Sequence, residues 1–485
     1  MRILHVISAL PQAAGTSIFC AEVCGHLNAQ GVECCIVVQK KKADDYVVGS
    51  AVSAIEMGCD FSGLPFVPDL VHIHALWSPF SHAGVRYAQQ HKIPYLISAH
   101  GMLAPWALKH KWLKKKIAWW LYQRRDLEGA AMFHVTAECE IKWLRDLGFK
   151  QPCVMVPLGS ELPILNSEET KRRRDVKTVL FVGRIYPVKG LMNLVRAWAS
   201  VRSSLVHYCD SALVEKPTSF AKAPTFANTL PADKTVDETA AQEVGCQRFA
   251  PRITNALMDS RTNKLFPNEL LLWQLIIAGP DQAGHKAEVV AEAKRLGLTC
   301  ADVTTHALMH SRTNELLPNL VFTGPVYGAD KDALHRMTDL FVFPSFTENF
   351  GVVVTDALSY GIPVITTKGT PWQELLGLAE DRGRTASLGS FAVPGRAEDR
   401  GQKTTNKLAT SGRCGWWIDI GVEPLVDALK EAMALSDEER DAMGANGRRL
   451  VETKYTWPAI AVEMKRAYGL LLKNFELPNV KASKV

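Results

Sequence analysis

Arg184 and Lys189 are two cations five residues apart in Gly183-Arg184-Ile185-Tyr186-Pro187-Val188-Lys189-Gly190. Pro187 stiffens the turn between them and Gly190 closes it. Such a loop suits a diphosphate, whose charge both cations stabilise as it leaves, without a metal. Far along the chain, Glu348 and Asp356 stand eight residues apart in Glu348-Asn349-Phe350-Gly351-Val352-Val353-Val354-Thr355-Asp356. Eight residues make a little over two helical turns, so the two acids fall roughly on one face. Carboxylates so placed suit hydrogen bonds from sugar hydroxyls. Asn349, Phe350 and Gly351 lead into that helix, where backbone amides hold hydroxyls or phosphate oxygens and Gly351 removes a blocking side chain. Singly, these are ordinary solvated loop cations, a cap-region acid and a solvated helix acid. Together they suit a nucleotide sugar.

The elements around them agree. Each stretch follows an apolar run read as a buried strand, Thr178–Val182 and Leu340–Phe343, and each precedes a helical pattern. Both therefore fall in loops at the carboxyl ends of strands, where open α/β sheets bind ligands. The first third alternates strands at Ile3–Ile7, Cys34–Val38, Leu70–Ile73, Tyr95–Ser98, Met132–Val135 and Cys153–Val156 with helices, beginning with Ile18–Gln30. A charged linker, Ser167 to Asp175, precedes a second series. Its strands are Thr178–Val182, Gln274–Ala278, Leu320–Thr323, Leu340–Phe343 and Pro363–Thr366; its helices are Leu191–Val201, His285–Leu296 and Val353–Tyr360. This predicts an α/β protein with two Rossmann-like, doubly wound parallel-sheet domains facing a central cleft. The domains span 1–166 and 176–455, and a C-terminal helix at 456–475 packs back on the first.

Three stretches break the rhythm of the second domain: 203–269, 300–317 and 377–413. A helix-to-strand connection normally needs only about 2–6 residues. Thr254–Asn263 recurs as Thr305–Asn314, but two copies in unlike surroundings make no solenoid. Inserted surface sequence, cheap in closure entropy, is one reading; a partner-binding segment is the other.

Composition sets outer limits. With 47% apolar and 22% charged residues the chain is ordinary for a soluble globular protein, and 485 residues suffice for two cores. A net charge of +6 is too mild to suggest nucleic acid. The eleven cysteines show no metal-ligand spacing, and Cys34 and Cys35 read as small buried thiols. An odd count and the lack of a secretory leader point to a reducing cytosol. No run of roughly 18 apolar residues predicts a transmembrane helix.

The Pro344-Ser345-Phe346-Thr347-Glu348-Asn349-Phe350-Gly351 context, with the Gly-Arg…Lys-Gly loop, resembles glycosyltransferase family 4, retaining enzymes of the GT-B fold. The likeness covers roughly 1–202, 270–299, 318–376 and 414–475. It implies that Arg184 and Lys189 bind the donor diphosphate, Glu348 the transferred sugar and Asp356 the ribose, with Asn349, Phe350 and Gly351 at the donor. Asp356 departs from the family's glutamate. A carboxylate set back by one methylene favours a weaker or water-bridged ribose contact. Thr323-Gly324-Pro325-Val326 resembles the base-contacting loop, with Val326 the contact. His100, following strand Tyr95–Ser98, matches a histidine that touches the donor sugar, its ordinary alternative being a satisfied cleft-edge histidine. Gly15 matches the family's glycine-rich loop, though Ala14 stands where a second glycine is common.

No cofactor beyond the donor and no metal is expected. His72 and His74 flank Ile73 without a third ligand, so core or rim histidines are the reading. Asp330-Lys331-Asp332 sits at a helix start, where acids favour the dipole. The implied activity is transfer of a hexose from a nucleotide diphosphate sugar to a sugar or lipid-linked hydroxyl acceptor, with retention, in polysaccharide or glycolipid assembly. A nucleotide-sugar 2-epimerase and a non-catalytic scaffold of the same fold are the rivals. Lys109 to Arg125 is basic, aromatic and helix-compatible. It suits either an anionic membrane surface, which would make a cytoplasmic enzyme peripheral, or a solvated helix whose Trp and Leu face its own core.

Overall fold

The computed structural model describes residues 1–11, 14–42, 45–49, 52–165, 176–214, 273–310, 318–377 and 412–476. The expected linker, Ser167 to Asp175, and most of the stretches 203–269 and 377–413 lie outside the described residues, as does the first copy of the internal repeat.

Two seven-stranded sheets, parallel throughout, form the frame. The first contains β1 (Arg2–Ile7), β2 (Glu33–Val38), β3 (Ser53–Glu56), β4 (Leu70–His74), β5 (Tyr95–Ser98), β6 (Met132–Val135) and β7 (Cys153–Met155), in the order β3-β2-β1-β4-β5-β6-β7. The second contains β8 (Lys177–Val182), β9 (Trp273–Ala278), β10 (Cys300–Asp302), β11 (Leu320–Gly324), β12 (Leu340–Phe343), β13 (Val364–Thr367) and β14 (Gly415–Ile418), in the order β10-β11-β9-β8-β12-β13-β14. Central strands are buried along nearly their whole length because helices cover both faces, which is why they read as unbroken apolar runs.

Three strands, β3, β10 and β14, were not expected from the sequence. All are edges: each pairs on one side only, and β3 and β10 are largely exposed or half-buried, so they carry no continuous apolar run. β10 corrects the reading of 300–317 as an insertion. Cys300, Ala301 and Asp302 pair with Leu320, Val321 and Phe322, so that stretch starts as part of the sheet, and helix Thr305–His310 follows it.

Strand order departs from chain order at one place in the first sheet, where β1 lies beside β4, and at two in the second, where β11 lies beside β9 and β8 beside β12. In the second sheet β8 lies between β9 and β12, with Leu340 opposite Val179. Connections leave these two strands in opposite directions, which opens a crevice at their carboxyl ends. The loops leaving β8 and β12 are Gly183–Gly190 and Pro344–Gly351.

Helix Trp457–Glu476 returns to the first sheet. Lys465 Nζ donates to the Gln30 carbonyl at 2.6 Å, and Tyr468 Oη lies 2.7 Å from His72 Nδ1. The chain passes between the domains at Gly159, where a Cβ would meet the Trp457 ring at 2.5 Å.

Candidate active site

Gly190 is the hinge on which the two donor-type loops meet. Its φ of 71° is left-handed, and a Cβ there would lie 2.0 Å from the Pro344 carbonyl oxygen. Only glycine permits that approach. The contact is reinforced by Phe346 N donating to Val188 O at 2.8 Å and Ser345 Oγ to the same carbonyl at 3.2 Å. Lys189, almost buried, thereby forms an ion pair with Glu348, and its ammonium lies 5.0 Å from the Phe343 ring centre. Glu348 N donates to Gly369 O at 2.8 Å, which fixes the far side of its loop. Arg184 is exposed and donates to Gln282 Oε1 at 2.9 Å, while its neighbour Ile185 anchors the loop in the core. An ammonium has three donors, so Lys189 can hold Glu348 and a phosphate oxygen at once.

Asp356 sits on helix Val352–Ser359, and both carboxylate oxygens are occupied. Ser160 Oγ donates to Oδ1 at 2.9 Å, and Lys331 Nζ to Oδ2 at 2.5 Å. Asp332 of the Asp-x-Asp pattern is held by Arg336 at 2.7 Å and by the Tyr360 hydroxyl at 2.6 Å. Two donor-site residues lie deeper than their expected roles require. The Phe350 ring packs between Trp372 and Tyr455, and its carbonyl accepts from Trp372 Nε1 at 2.6 Å. Val326 is also buried. Backbone atoms are what these two residues offer a ligand most directly.

From the first domain, β5 ends in a left-handed pair, His100 with φ 48° and Gly101 with φ 75°. A non-glycine residue in that region is strained, which occurs mostly where surrounding structure demands it. The turn brings Gly101 against Asn349: a Cβ on Gly101 would touch the Asn349 side chain at 3.5 Å. Glu140, not singled out from the sequence, joins the two. Its Oε1 accepts from Gly101 N at 2.7 Å and its Oε2 from Thr136 N at 2.8 Å. Assigned from this network, the Asn349 amide nitrogen faces Glu140 at 3.2 Å and its oxygen accepts from Thr136 Oγ1 at 2.7 Å. Burial holds the Glu140 carboxyl above the usual range, although those donors pull the other way. A glutamate at the third position of helix Glu138–Asp146, four residues after Thr136, was the available signal. Gly15 opens helix Gly15–Ala29, whose N-terminus has no side-chain cap.

Beneath His100 lies a cluster of buried histidines. His72 Nε2 lies 2.6 Å from Ser98 Oγ, which lies 2.6 Å from His134 Nδ1, and His134 Nε2 lies 2.8 Å from the Val156 carbonyl. One proton order satisfies the row: Tyr468 donates to His72, His72 to Ser98, Ser98 to His134, and His134 to Val156. Burial keeps these rings neutral, drawing His134 down to about 4 and placing His72, His74 and His100 below their usual value. The expectation that His72 and His74 have no third metal-type neighbour is corrected. Adjacent β1 brings His5 alongside both, its Nδ1 2.9 Å from His74 Nε2.

In the same domain, Lys109 to Arg125 forms helices Trp112–Ala118 and Trp119–Gln123, the second with π-helical spacing. Trp119 packs against Phe149 and Trp77. The other apolar side chains face outward: Trp112, Leu113, Ile117, Trp120 and Leu121 are each more than half exposed. The reading in which they face the protein's own core holds for Trp119 only. Among the described residues no helix is long and apolar enough to cross a membrane.

Comparison with known proteins agrees with this architecture. Residues 302–386 match the family model "Glycosyl transferases group 1", and residues 60–159 match "Glycosyl transferase 4-like domain". The chain is 24% identical over 159 residues to the capsular polysaccharide biosynthesis glycosyltransferase CapM of Staphylococcus aureus, a match spanning 33% of each chain. The solved structure of HepE from Anabaena with UDP and glucose superposes with a TM-score of 0.58 at 13% identity, covering 97% of this chain and 99% of that one. WaaG, a glycosyltransferase involved in lipopolysaccharide biosynthesis, superposes with a TM-score of 0.54 at 15% identity, covering 95% and 99%. Sucrose-phosphate synthase from Thermosynechococcus elongatus gives 0.57 at 16%, covering 98% and 100%. The fold is GT-B.

Proposed function

We propose that the chain, whose residues 302–386 and 60–159 match glycosyltransferase family models, is a group 1 glycosyltransferase that moves a hexose from a nucleotide diphosphate sugar to a hydroxyl acceptor, with retention, in polysaccharide or glycolipid assembly. The observation that carries this reading is the Lys189–Glu348 pair at the switch point of the second sheet. The cation faces a site for a diphosphate, and the acid a site for a sugar. In the reaction the bond from the anomeric carbon to the diphosphate oxygen breaks and the acceptor oxygen bonds on the same face. The acceptor's proton passes to the departing diphosphate. Arg184 and Lys189 stabilise the charge that grows there, which is the term an enzyme gains most from. Asp356 holds the ribose after Lys331 yields one oxygen. Val326 and the Asn349–Gly351 backbone line the donor, with the N-terminus of helix Gly15–Ala29 opposite, and His100, neutral, touches the transferred sugar. No divalent metal takes part, and the rate without added magnesium or manganese equals the rate with them.

The exposed aromatic and basic face at Lys109–Arg125 docks on an anionic bilayer, where each lysine near the surface contributes about 1 kcal/mol. Such docking presents the first domain to a lipid-linked acceptor. The test is incubation with labelled nucleotide sugars and membrane lipid. Label transferred to lipid supports the reading. A new nucleotide sugar would show epimerisation instead, and binding without turnover a scaffold. A thermal-shift screen across UDP-, GDP- and ADP-sugars identifies the base, since a ligand at about 100 times its dissociation constant stabilises by about 2.7 kcal/mol.

A further inference from the structure

Four side chains from three separate elements meet inside the first domain, away from the donor loops. Cys20 and Cys24 lie one turn apart on the buried face of helix Gly15–Ala29. Cys34 comes from β2 and His5 from β1, and all four side chains are buried. The ligand atoms of His5, Cys24 and Cys34 all lie within 4.8 Å of one another. Cys20, one turn before Cys24 on the same buried helix face, stands at the edge of that trio, next also to His74. His5 Nε2 makes no hydrogen bond among the described residues, although it is completely buried. An orphaned ring nitrogen facing thiols is costly unless something fills the gap.

We propose that His5 Nε2 and the thiolates of Cys20, Cys24 and Cys34 bind one zinc-class divalent cation in a closed, structural site. Three sulfurs and one imidazole nitrogen form the set that selects a thiophilic tetrahedral ion, and no open position remains for water or substrate. Binding expels the thiol protons. Of the three grouped histidines, His5, His72 and His74, only His5 has a nitrogen to give among the described residues. Both nitrogens of His72 are engaged, by Tyr468 and Ser98, and both of His74, by His5 and His100. The group of His5, His72 and His74 would bind a metal only by breaking those bonds.

The outer shell fits the assignment. A metal-bound histidine keeps its second nitrogen protonated and donates it. His5 Nδ1 then donates to His74 Nε2 at 2.9 Å, and His74 Nδ1 to His100 Nε2 at 3.2 Å. Occupation of the buried site thus sets the tautomer of the cleft histidine. The ion also ties helix Gly15–Ala29, which opens at the cleft, to the two strands beneath it.

The experiment uses the full chain, purified under reducing conditions and reconstituted with zinc or cobalt(II). About one metal per chain is expected, with the cobalt form showing a thiolate charge-transfer band. Zinc should raise the unfolding midpoint of the wild type, and a strong chelator applied during refolding should lower it. Cys34→Ala should lose the metal and the band. Cys35→Ala, the next residue on the opposite face of β2, should keep both. Should Cys34→Ala fail to fold, the wild-type stoichiometry and band decide alone. Less than about a tenth of an equivalent in the reconstituted wild type, or a band that survives Cys34→Ala, overturns the proposal.

Discussion

Replacing Gly190 by alanine tests the geometry that brings Lys189 to Glu348. Two costs can be separated. The φ of 71° demands a left-handed residue, costing an alanine about 1–2 kcal/mol, partly offset by about 0.4–1 kcal/mol from the stiffer unfolded chain. The second cost is steric. A Cβ would stand 2.0 Å from the Pro344 carbonyl oxygen, where real contacts essentially never fall below 3.0 Å, so the two loops must part by at least about 1 Å. Gly148 supplies the control, for its φ of 90° is also left-handed but nothing lies within 4 Å of a Cβ there. Gly148→Ala should therefore lose roughly 1 kcal/mol and keep full activity. Gly190→Ala should lose about 1–3 kcal/mol more if the loops resist. If they yield, its turnover should fall by about 100-fold, the usual effect of a displacement near 1 Å. Urea unfolding gives the first quantity, and initial rates of nucleoside diphosphate release with the donor found by screening give the second. Two variants alike in both stability and rate would refute the argument that the close approach positions the pair.

Arg184→Ala and Lys189→Ala should each reduce turnover by roughly tenfold or more, since each removes stabilisation of the departing diphosphate; full activity in both would remove the loop from the chemistry. Asp356→Asn should raise the donor KM more than it lowers kcat, because ribose contacts are alike in ground and transition states, whereas Glu348→Gln should act mainly on kcat, and equal effects would undo the distinction. His134 is drawn down to about 4 from 6.5 by burial, so its neutral form contributes stability that is complete above pH 6.5 and lost as the pH falls to 4. That is about 3 kcal/mol over the window, and denaturant unfolding at stepped pH should show the decline, with a flat profile counting against it. Trp120→Ser with Leu121→Ser should abolish sedimentation with anionic vesicles while leaving the rate on a soluble acceptor unchanged; undiminished vesicle binding would assign the exposed face another role.

The sequence alone determined the repeating strand and helix, hence two parallel sheets, because central strands covered on both faces must be apolar throughout. It also determined that the Arg184–Lys189 and Glu348–Asp356 stretches leave the carboxyl ends of strands. Edge strands β3 and β10 escaped notice, since one-sided pairing leaves them exposed or half-buried and short of apolar residues, and β14, though apolar, is only four residues long. Only the tertiary structure decided what meets what. Lys189 reaches Glu348 because β8 pairs with β12, a partnership fixed by packing across the sheet and invisible to local spacing. The same holds for Glu140 bridging Gly101 to Asn349, and for Phe350, whose ring packs on Trp372 and Tyr455. The thiols of Cys20, Cys24 and Cys34 show no ligand spacing along the chain. They converge on His5 because β1 and β2 are neighbours in the sheet and helix Gly15–Ala29 packs on β2. Spacing along a chain reports one element at a time; a site assembled from several is written in the contacts between them.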